Sequence, residues 1–202
     1  LSKSRQTSKA YPSKSRQTSE ALKRMRFIRS DYDFNAALNK LAPYLSKSQM
    51  IEVLSLVRSV QSEYGRAEAL CQLAPYLSIA QMAEALAMAR SMQSESDCSR
   101  VLRRLAPYLS RVQTVEALEI ARSIQSESDR ISVLSKLLPK LTKAEMYIIW
   151  KEVLHMHVSR DRKSFLVDIP QLAPAMIALS GRDKNVLKLV IEATQDVCRQ
   201  WP

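Results

Sequence analysis

The segment Leu-Ala-Pro-Tyr-Leu at residues 41–45 returns at 73–77 and at 105–109, and a diverged copy, Leu-Leu-Pro-Lys-Leu, stands at 137–141. Each copy begins 32 positions after the copy before it. Recurrence at one fixed period within a single chain is the sequence signature of a repeat protein. The copies therefore divide the chain into units of 32 residues.

Each unit is predicted to form two helices. In the second unit, apolar residues at helical spacing predict a first helix over about 66–74, which Pro75 helps to end. Ser78 and Gln81 then have the pattern of a capping box, which predicts a second helix over about 79–93. A turn rich in Ser, Glu and Asp is expected to lead to the next pair. The same capping pattern recurs at Ser46/Gln49, Ser110/Gln113 and Thr142/Glu145.

The composition supports a helical fold and excludes several others. The chain has 202 residues and only two glycines, so β-sandwiches, Rossmann folds and phosphate-binding loops, which need glycine in their turns, are disfavoured. A two-helix unit of this size cannot bury its own apolar face and must stack on its neighbours. The sequence thus predicts an all-α fold, an α-solenoid of about five 32-residue helix-pair repeats with a carboxyl-terminal capping helix pair.

The repeat register also predicts the domain boundaries. Residues 1–17 lack an apolar stripe and are expected to be a flexible basic segment. Residues 18–202 are expected to form a single solenoid domain. Its units are predicted near 18–33 (a partial unit), 34–65, 66–97, 98–129 and 130–161, followed by a cap over 162–202.

The carboxyl-terminal part departs from the regular pattern. Residues 143–158 are predicted as the second helix of the fourth copy, and residues 165–179, with Leu-Ala-Pro at 172–174, as a stretched final copy. Gly181 is expected to cap a helix at its carboxyl end, and residues 183–200 are expected to form a closing helix. Terminal repeats are commonly atypical because one of their faces meets water.

The formal net charge of +11 is unevenly distributed. Residues 1–30 carry nine basic side chains and one acidic one, a net charge of +8, whereas residues 31–202 carry 22 basic and 19 acidic side chains. The amino-terminal segment is therefore the part of the chain best suited to contact nucleic acid. No run of 18 apolar residues occurs, so the sequence predicts no membrane span.

The repeated units, Leu-Ala-Pro-Tyr-Leu followed by Glu-Ala-Leu-x-x-Ala-Arg-Ser-x-Gln-Ser-Glu, resemble HEAT-like helical repeats of large bacterial, notably cyanobacterial, proteins. In those proteins the repeats follow an NTPase module of the NACHT/STAND kind or a caspase-like effector domain. The resemblance covers about residues 20–202 and implies a sensor or scaffold region. Tetratricopeptide repeats have a similar length, but their Trp/Leu-Gly/Tyr pattern is missing. The chain has no Walker A stretch and no protease-like Cys/His pair, so the resemblance implies no activity.

Catalytic, cofactor and metal sites are not indicated. His155 and His157 lie two positions apart on a helix and therefore point in different directions, which does not suit chelation of one ion. Cys71, Cys98 and Cys198 have neither metal-binding nor redox spacing. Their number and placement fit a reducing cytosol, so a cytoplasmic location is expected.

Three arginines, Arg58, Arg90 and Arg122, occupy the same register in successive units. They would form a ladder along one edge of the solenoid. Such a ladder could bind phosphates or an acidic partner. The interpretation we favour is structural: each arginine pairs with a recurring acid, such as Glu63, Glu95 or Glu127, and holds adjacent units together.

Two further sets are candidate binding residues. Tyr44, Tyr76 and Tyr108 could stack on bases or a peptide, but packing against the core is the favoured interpretation. The third unit carries a basic cluster that its neighbours lack, and residues that vary between equivalent sites often mark the working surface of a solenoid. This cluster consists of Arg100, Arg103, Arg104 and Arg111.

The leading functional hypothesis is a non-catalytic scaffold that binds or senses a protein partner, as a module of a larger signalling or defence protein. The first alternative is nucleic-acid binding through residues 1–30 and the arginine-rich edge. A second alternative is self-assembly through the exposed amino-terminal repeat, whose apolar face would be uncovered.

Overall fold

A computed structural model describes residues 14–158, 177, 180–181 and 183–199. Within these residues the secondary structure is helical, and no strand occurs. The helices are α1 (Lys14–Met25), α2 (Asp31–Leu41), α3 (Lys47–Ser59), α4 (Glu63–Leu73), α5 (Ile79–Arg90), α6 (Glu95–Leu105), α7 (Arg111–Ser123), α8 (Glu127–Leu137), α9 (Lys143–Val158) and α10 (Lys184–Arg199).

The recurring Ala-Pro-Tyr segment forms the corner between the two helices of a unit. It adopts a single 3₁₀ turn at residues 42–44, 74–76 and 106–108, and Leu-Pro-Lys does so at 138–140. Proline is accepted in the first turn of such a helix because its missing N–H has no intrahelical partner there. The expected stop at Pro75 is confirmed, with α4 ending at Leu73.

The capping boxes also form as predicted. The Oγ of Ser78 accepts a hydrogen bond from the main-chain N–H of Gln81, and the Oε1 of Gln81 accepts one from the N–H of Ser78 at 2.9 Å. The two main-chain N–H groups are donors that a helix amino terminus otherwise leaves without partners. Equivalent reciprocal bonds occur at Ser46/Gln49, Ser110/Gln113 and Thr142/Glu145.

Several predicted boundaries were wrong by a few residues. The expected Ser/Glu/Asp-rich turn is the amino terminus of the following helix, so α4 begins at Glu63 rather than near Arg66. A serine precedes each such helix and accepts a hydrogen bond from the third helical residue, and an acid follows it, which suits the positive end of the helix dipole. The capping serines are Ser62, Ser94 and Ser126.

The other end of the second helix also moves, since α5 ends at Arg90 rather than Gln93. At the amino-terminal end of the chain, α1 begins at Lys14, so residues 14–17 are helical although they were expected to be flexible. Residues 1–13 lie outside the described part of the chain.

The helices pack against their neighbours in sequence order, as in a helical repeat. The first helices of the units (α2, α4, α6 and α8) lie side by side in one layer, and the second helices α3, α5 and α7 lie side by side in another. The core between the layers is built from equivalent positions, so one leucine recurs, fully buried, in each unit. These leucines are Leu38, Leu70, Leu102 and Leu134. Burial of each such side chain contributes about 1.5–3 kcal/mol.

The carboxyl-terminal predictions are confirmed where the described residues reach them. The fourth second helix, α9, covers Lys143–Val158, and Gly181 adopts a positive φ of 59°, as a helix carboxyl cap requires. The closing helix α10 covers Lys184–Arg199 and packs against α9. The stretched copy expected over 165–179 lies almost wholly outside the described residues. No helix in the described ranges has the length and apolar character needed to cross a bilayer.

Candidate interaction surfaces

The arginine ladder is an array of ion pairs between consecutive units. Each arginine stands near the end of a second helix and pairs with a glutamate of the next second helix. Arg26 occupies the same register one unit before Arg58 and makes an equivalent pair. The nitrogen–oxygen distances are 2.7 Å for Arg26–Glu52, 3.2 Å for Arg58–Glu84, 4.0 Å for Arg90–Glu116 and 3.0 Å for Arg122–Glu152.

The structural role expected of the ladder is therefore found, but the predicted partners were wrong. The first three pairs join residues 26 positions apart. The equivalent position for Arg122 is occupied by Ile148, and Arg122 instead reaches Glu152, one helical turn further along α9. A turn of helix brings residues four apart onto the same face, so the pairing survives this exchange.

Two of the acids that were expected to pair with the ladder, Glu63 and Glu95, cap helices instead. Glu63 accepts hydrogen bonds from the main-chain N–H groups of Gln93 and Ser94 at 2.8–3.0 Å, at the amino terminus of α6. Glu95 does the same for Gln125 and Ser126 at the amino terminus of α8. These main-chain hydrogen bonds lower the pKa of both carboxyl groups.

Arg100, the first residue of the basic cluster, is held against the preceding unit. Its guanidinium carbon lies 4.3 Å from the ring centroid of Tyr64, and Nη1 lies 3.5 Å from the Oε2 of Glu68. Nη2 is bonded to Asp97 of the same helix at 2.5 Å. The side chain is only 27% exposed.

The other three arginines of the cluster diverge from Arg100 and from each other. Arg104 donates to the main-chain oxygen of Cys71 in the preceding unit, at 3.3 Å. Arg103 and Arg111 reach forward, to the Oγ of Ser132 at 3.1 Å and to the carboxylate of Glu145. The cluster therefore does not converge on one anion site; its members connect the third unit to both neighbours.

The three corner tyrosines are exposed rather than packed in the core, so that prediction was wrong. Tyr44, Tyr76 and Tyr108 are 64%, 46% and 44% exposed. The 3₁₀ turn explains the difference: the alanine at its first position points into the core, and the third position then faces solvent. These alanines are Ala42, Ala74 and Ala106, each at most 2% exposed.

The structure describes the side chains of two cysteines, Cys71 and Cys98, and both are free thiols. Burial raises the pKa of the Cys71 and Cys98 thiols to about 11, which favours the protonated thiol over the nucleophilic thiolate at neutral pH. The side chains of His155, His157 and Cys198 lie outside the described part of the molecule. Within that part, no group of three or more His, Cys, Asp or Glu could hold a metal ion.

Sequence reasoning missed an apolar column on the second helices. It occupies one register position in four successive units: Ile51, Ala83, Val115 and Tyr147. Ile51, Val115 and Tyr147 are 62%, 44% and 54% exposed, and Ala83 is exposed as well. Further exposed apolar side chains flank the column at Ile79, Val112 and Ile148. The recurring register was the available signal, but periodicity alone does not show which face of a helix meets solvent.

A cleft of about 350 Å³ between α2 and α4 was missed as well. Two aromatic side chains in the same register, Tyr32 and Tyr64, line it, and they are 82% and 63% exposed. Later units carry serine at this position, at Ser96 and Ser128. The tyrosine at this position is therefore confined to the first two of these helices, α2 and α4.

No protein-family model matches this chain, and neither a curated protein nor a solved structure does so.

Proposed function

We propose that the chain is a non-catalytic helical-repeat scaffold that binds a protein partner through the exposed face of its second helices. The observation that carries the proposal is the apolar column, Ile51, Ala83, Val115 and Tyr147. Single exposed apolar residues are common on proteins, whereas a contiguous set rimmed by polar residues is typical of a protein-binding surface.

The charges beside the column support a protein partner over a polyanion. The arginines on the same helices are neutralised by glutamates, as in the Arg58–Glu84 pair. An apolar centre with a rim of balanced charge is the usual anatomy of a protein interface. A nucleic-acid surface would instead present unpaired cations.

The resemblance to HEAT-like repeats supports the same role, that of a scaffold or sensor module of a larger bacterial signalling or defence protein in the cytoplasm. Solenoids commonly serve as extended binding surfaces.

Site-specific photo-crosslinking tests the proposal. A photoreactive phenylalanine analogue would replace Ile51 or Val115 in cells that contain the native protein, and the crosslinked partner would be identified and purified. Calorimetric titration of that partner should then show binding weakened by about tenfold or more in Ile51→Ser/Val115→Ser. The control variant Tyr44→Ser removes an exposed aromatic side chain at a corner turn, outside the column, and should bind like the wild type. Unchanged affinity of the double variant would refute the proposal.

Nucleic-acid binding through residues 1–30 is the second candidate, because this segment carries a net charge of +8. Polarisation of a labelled oligonucleotide should then fall steeply from about 50 to about 300 mM salt, because each neutralised phosphate releases counterions. Deletion of residues 1–17 should abolish the signal. Salt-insensitive binding would exclude this candidate.

Self-assembly through the amino-terminal repeat has less support. The exposed side chains between residues 17 and 25 of α1 are polar, for example Glu20, Lys23 and Arg24, while Leu22 and Met25 are buried. Between residues 17 and 25 the exposed face of α1 is therefore polar, and the exposed apolar side chain at this end, Phe27, follows the helix.

A further inference from the structure

Arg100 and Tyr64 show how this fold holds a guanidinium group. Arg100 of α6 lies over the ring of Tyr64 of α4, 4.3 Å from its centroid. Its Nη1 also lies 3.5 Å from the carboxylate of Glu68, which stands one turn after Tyr64 on the same helix. An aromatic face with an adjacent carboxylate is a favourable environment for arginine.

One unit earlier the same arrangement lacks its cation. Tyr32 of α2 occupies the position of Tyr64, and Glu68 of α4 occupies the position of Arg100. Among the described residues no cation lies over the ring of Tyr32, which is 82% exposed. The helices α2 and α4 therefore form a cleft lined by tyrosines. In this cleft Glu68 occupies the position at which the next unit has Arg100.

The lining of this cleft is acidic. Asp31 and Glu68 contribute carboxylates, and none of the residues that line the cleft is a lysine or an arginine. The carboxylate of Asp31 is bonded to the Oγ of Ser62, and that of Glu68 to the Nε2 of Gln72 and to Arg100. A carboxylate offers about four acceptor positions, so both groups can accept further hydrogen bonds.

Two buried amide oxygens add acceptors without partners. Asn35, which is only 7% exposed, donates from Nδ2 to the main-chain oxygen of Gly65 at 3.2 Å, and its Oδ1 has no partner. Gln72 donates from Nε2 to Glu68 at 3.1 Å, and its Oε1 is likewise unpaired. Both donor bonds fix the amide orientation, because turning either amide over would place two acceptors against each other. Buried acceptors of this kind are normally satisfied. Both residues line the cleft, so opening of the cleft around a ligand with N–H donors would give these two oxygens the partners they lack.

We propose that the aromatic cleft between α2 and α4 binds an arginine side chain presented by a partner protein. A guanidinium group is planar, stacks on aromatic rings and carries five N–H donors, which matches a tyrosine face surrounded by amide and carboxylate acceptors. Lysine, a compact point charge with three donors, matches this lining less well. The cleft belongs to the layer of first helices, whereas the apolar column belongs to the second helices. The inference adds a second contact to the proposed function, and either can fail without the other.

Nuclear magnetic resonance titration of the full 202-residue chain tests the inference. The probe is the peptide acetyl-Gly-Ser-Arg-Ser-Gly-amide. It should produce saturable shifts in the amide signals of α2 and α4, with a dissociation constant on the order of several millimolar for this single contact. The same peptide with citrulline, an uncharged analogue of arginine, should bind at least about tenfold more weakly, and so should the lysine peptide.

Variants locate the binding. Tyr32→Ser introduces the residue that Ser96 and Ser128 supply at the same register, so the fold already accommodates it, and it should abolish the shifts. Glu68→Arg should abolish them too, because it places an arginine over Tyr32 as Arg100 lies over Tyr64. Tyr44→Ser, which removes an exposed tyrosine outside the cleft, should leave binding unchanged.

Four results would overturn the inference. They are the absence of saturable shifts in α2 and α4, equal binding of the citrulline or lysine peptide, unchanged binding by Tyr32→Ser, and binding only after removal of residues 1–13. The last result would mean that the chain's own amino-terminal cations occupy the cleft instead of a partner's arginine.

Discussion

Gln113 donates a hydrogen bond from Nε2 to the main-chain oxygen of Ile79, which lies one unit earlier and 2.6 Å away. Through Oε1, the same amide accepts from the N–H of Ser110 at 3.0 Å. One buried glutamine thus caps its own helix and binds the first residue of the preceding second helix. Gln81 does the same for the main-chain oxygen of Lys47, at 3.1 Å.

The fourth unit makes this connection by different chemistry. Glu145 occupies the register of Gln113 but has no N–H to donate, and it accepts a hydrogen bond from the guanidinium of Arg111 instead. Arg111 is the first residue of the preceding second helix, as Ile79 is in the unit before. At this position of the unit, the amide of Gln113 therefore pairs with a main-chain oxygen of the preceding second helix, and the carboxylate of Glu145 pairs with a cationic side chain there.

We expect Gln113→Glu to lower the free energy of unfolding by about 1–3 kcal/mol. The substitution removes the donor to the main-chain oxygen of Ile79 and leaves a carboxylate at a site that is 5% exposed. Urea unfolding followed by far-ultraviolet circular dichroism measures the loss.

Two matched variants control this prediction. Gln81→Glu should be milder, because Lys47 at the start of the preceding second helix can supply a cation. Ile79→Arg should restore stability to Gln113→Glu by recreating the pair seen between Arg111 and Glu145. If Gln113→Glu and Gln81→Glu are equally destabilised and Ile79→Arg does not rescue Gln113→Glu, the two-chemistry account is wrong.

The carboxylate of Glu145 should make stability depend on pH. Hydrogen bonds from Arg111 and then from Thr142 lower its pKa from an ordinary value of 4.5 to about 2. A pKa that is lower in the folded than in the unfolded chain contributes stability above pH 4.5, and this is lost as the pH falls toward about 2. Glu145→Gln should therefore lose less stability than the wild type between these pH values.

A residual acid sensitivity should remain in Glu145→Gln, because the pKa values of Glu63 and Glu95 are lowered in the same direction. Urea midpoints measured at several pH values for both proteins provide the comparison. Identical pH profiles would show that the Arg111–Glu145 contact does not contribute.

The contact between the amino termini of α2 and α4 involves Asp31 and Gly65. Substitutions at these two positions should change the stability of the protein in a coupled way. A Cβ atom at Gly65 would lie 2.7 Å from the Oδ2 of Asp31 and 2.9 Å from the Oγ of Ser62. Gly65→Asp should therefore destabilise the protein by about 1–3 kcal/mol through crowding, with like charge adding to it. Urea unfolding again measures the change.

Asp31→Glu should relieve this cost, because later joints combine a glutamate with an aspartate. Glu63 reaches the main chain at Gln93 and Ser94 while Asp97 occupies the position of Gly65. The shorter Asp31 reaches only the side chain of Ser62. A double variant that is no more stable than Gly65→Asp would contradict this explanation.

Individual ladder arginines should contribute little to stability. The side chains of Arg58, Arg90 and Arg122 are 47–58% exposed, so their ion pairs are screened by solvent. Each alanine substitution should cost about 0–1 kcal/mol, and added salt should shrink the difference. Thermal unfolding at low and high salt checks this, and a large salt-independent loss would point to a buried role.

The helical units could be predicted from the sequence because the interactions that define them are local. A capping box joins residues three apart, such as Ser78 and Gln81, and an amphipathic stripe joins residues three or four apart. The start of α4 is nevertheless predicted too late, near Arg66, because a Ser/Glu/Asp-rich stretch suits a turn as well as a helix start. In the structure Ser62 caps the helix through the N–H of Gly65.

The connections between units could not be predicted in the same way. The sequence favours the nearby Glu63 as the partner of Arg58. In the structure Arg58 pairs with Glu84, and Glu63 caps the helix that follows Ser94. Glu63 and Glu84 both belong to sets of glutamates that recur every 32 residues, so the period alone does not identify the partner of Arg58. The choice between them depends on how far one unit is displaced and rotated relative to the next, which no short window of sequence contains.

The period of 32, the helix pairs and the capping of the second helices were thus determined by the sequence alone, since each arises within a few residues of chain. Only the tertiary structure decided which glutamate each arginine meets, that Tyr44 faces solvent, and that Asn35 and Gln72 converge beside Tyr32. These contacts join residues about 30 positions apart. Their geometry exists only when whole units have stacked, because stacking sets the faces that meet and the polar groups that are left without partners.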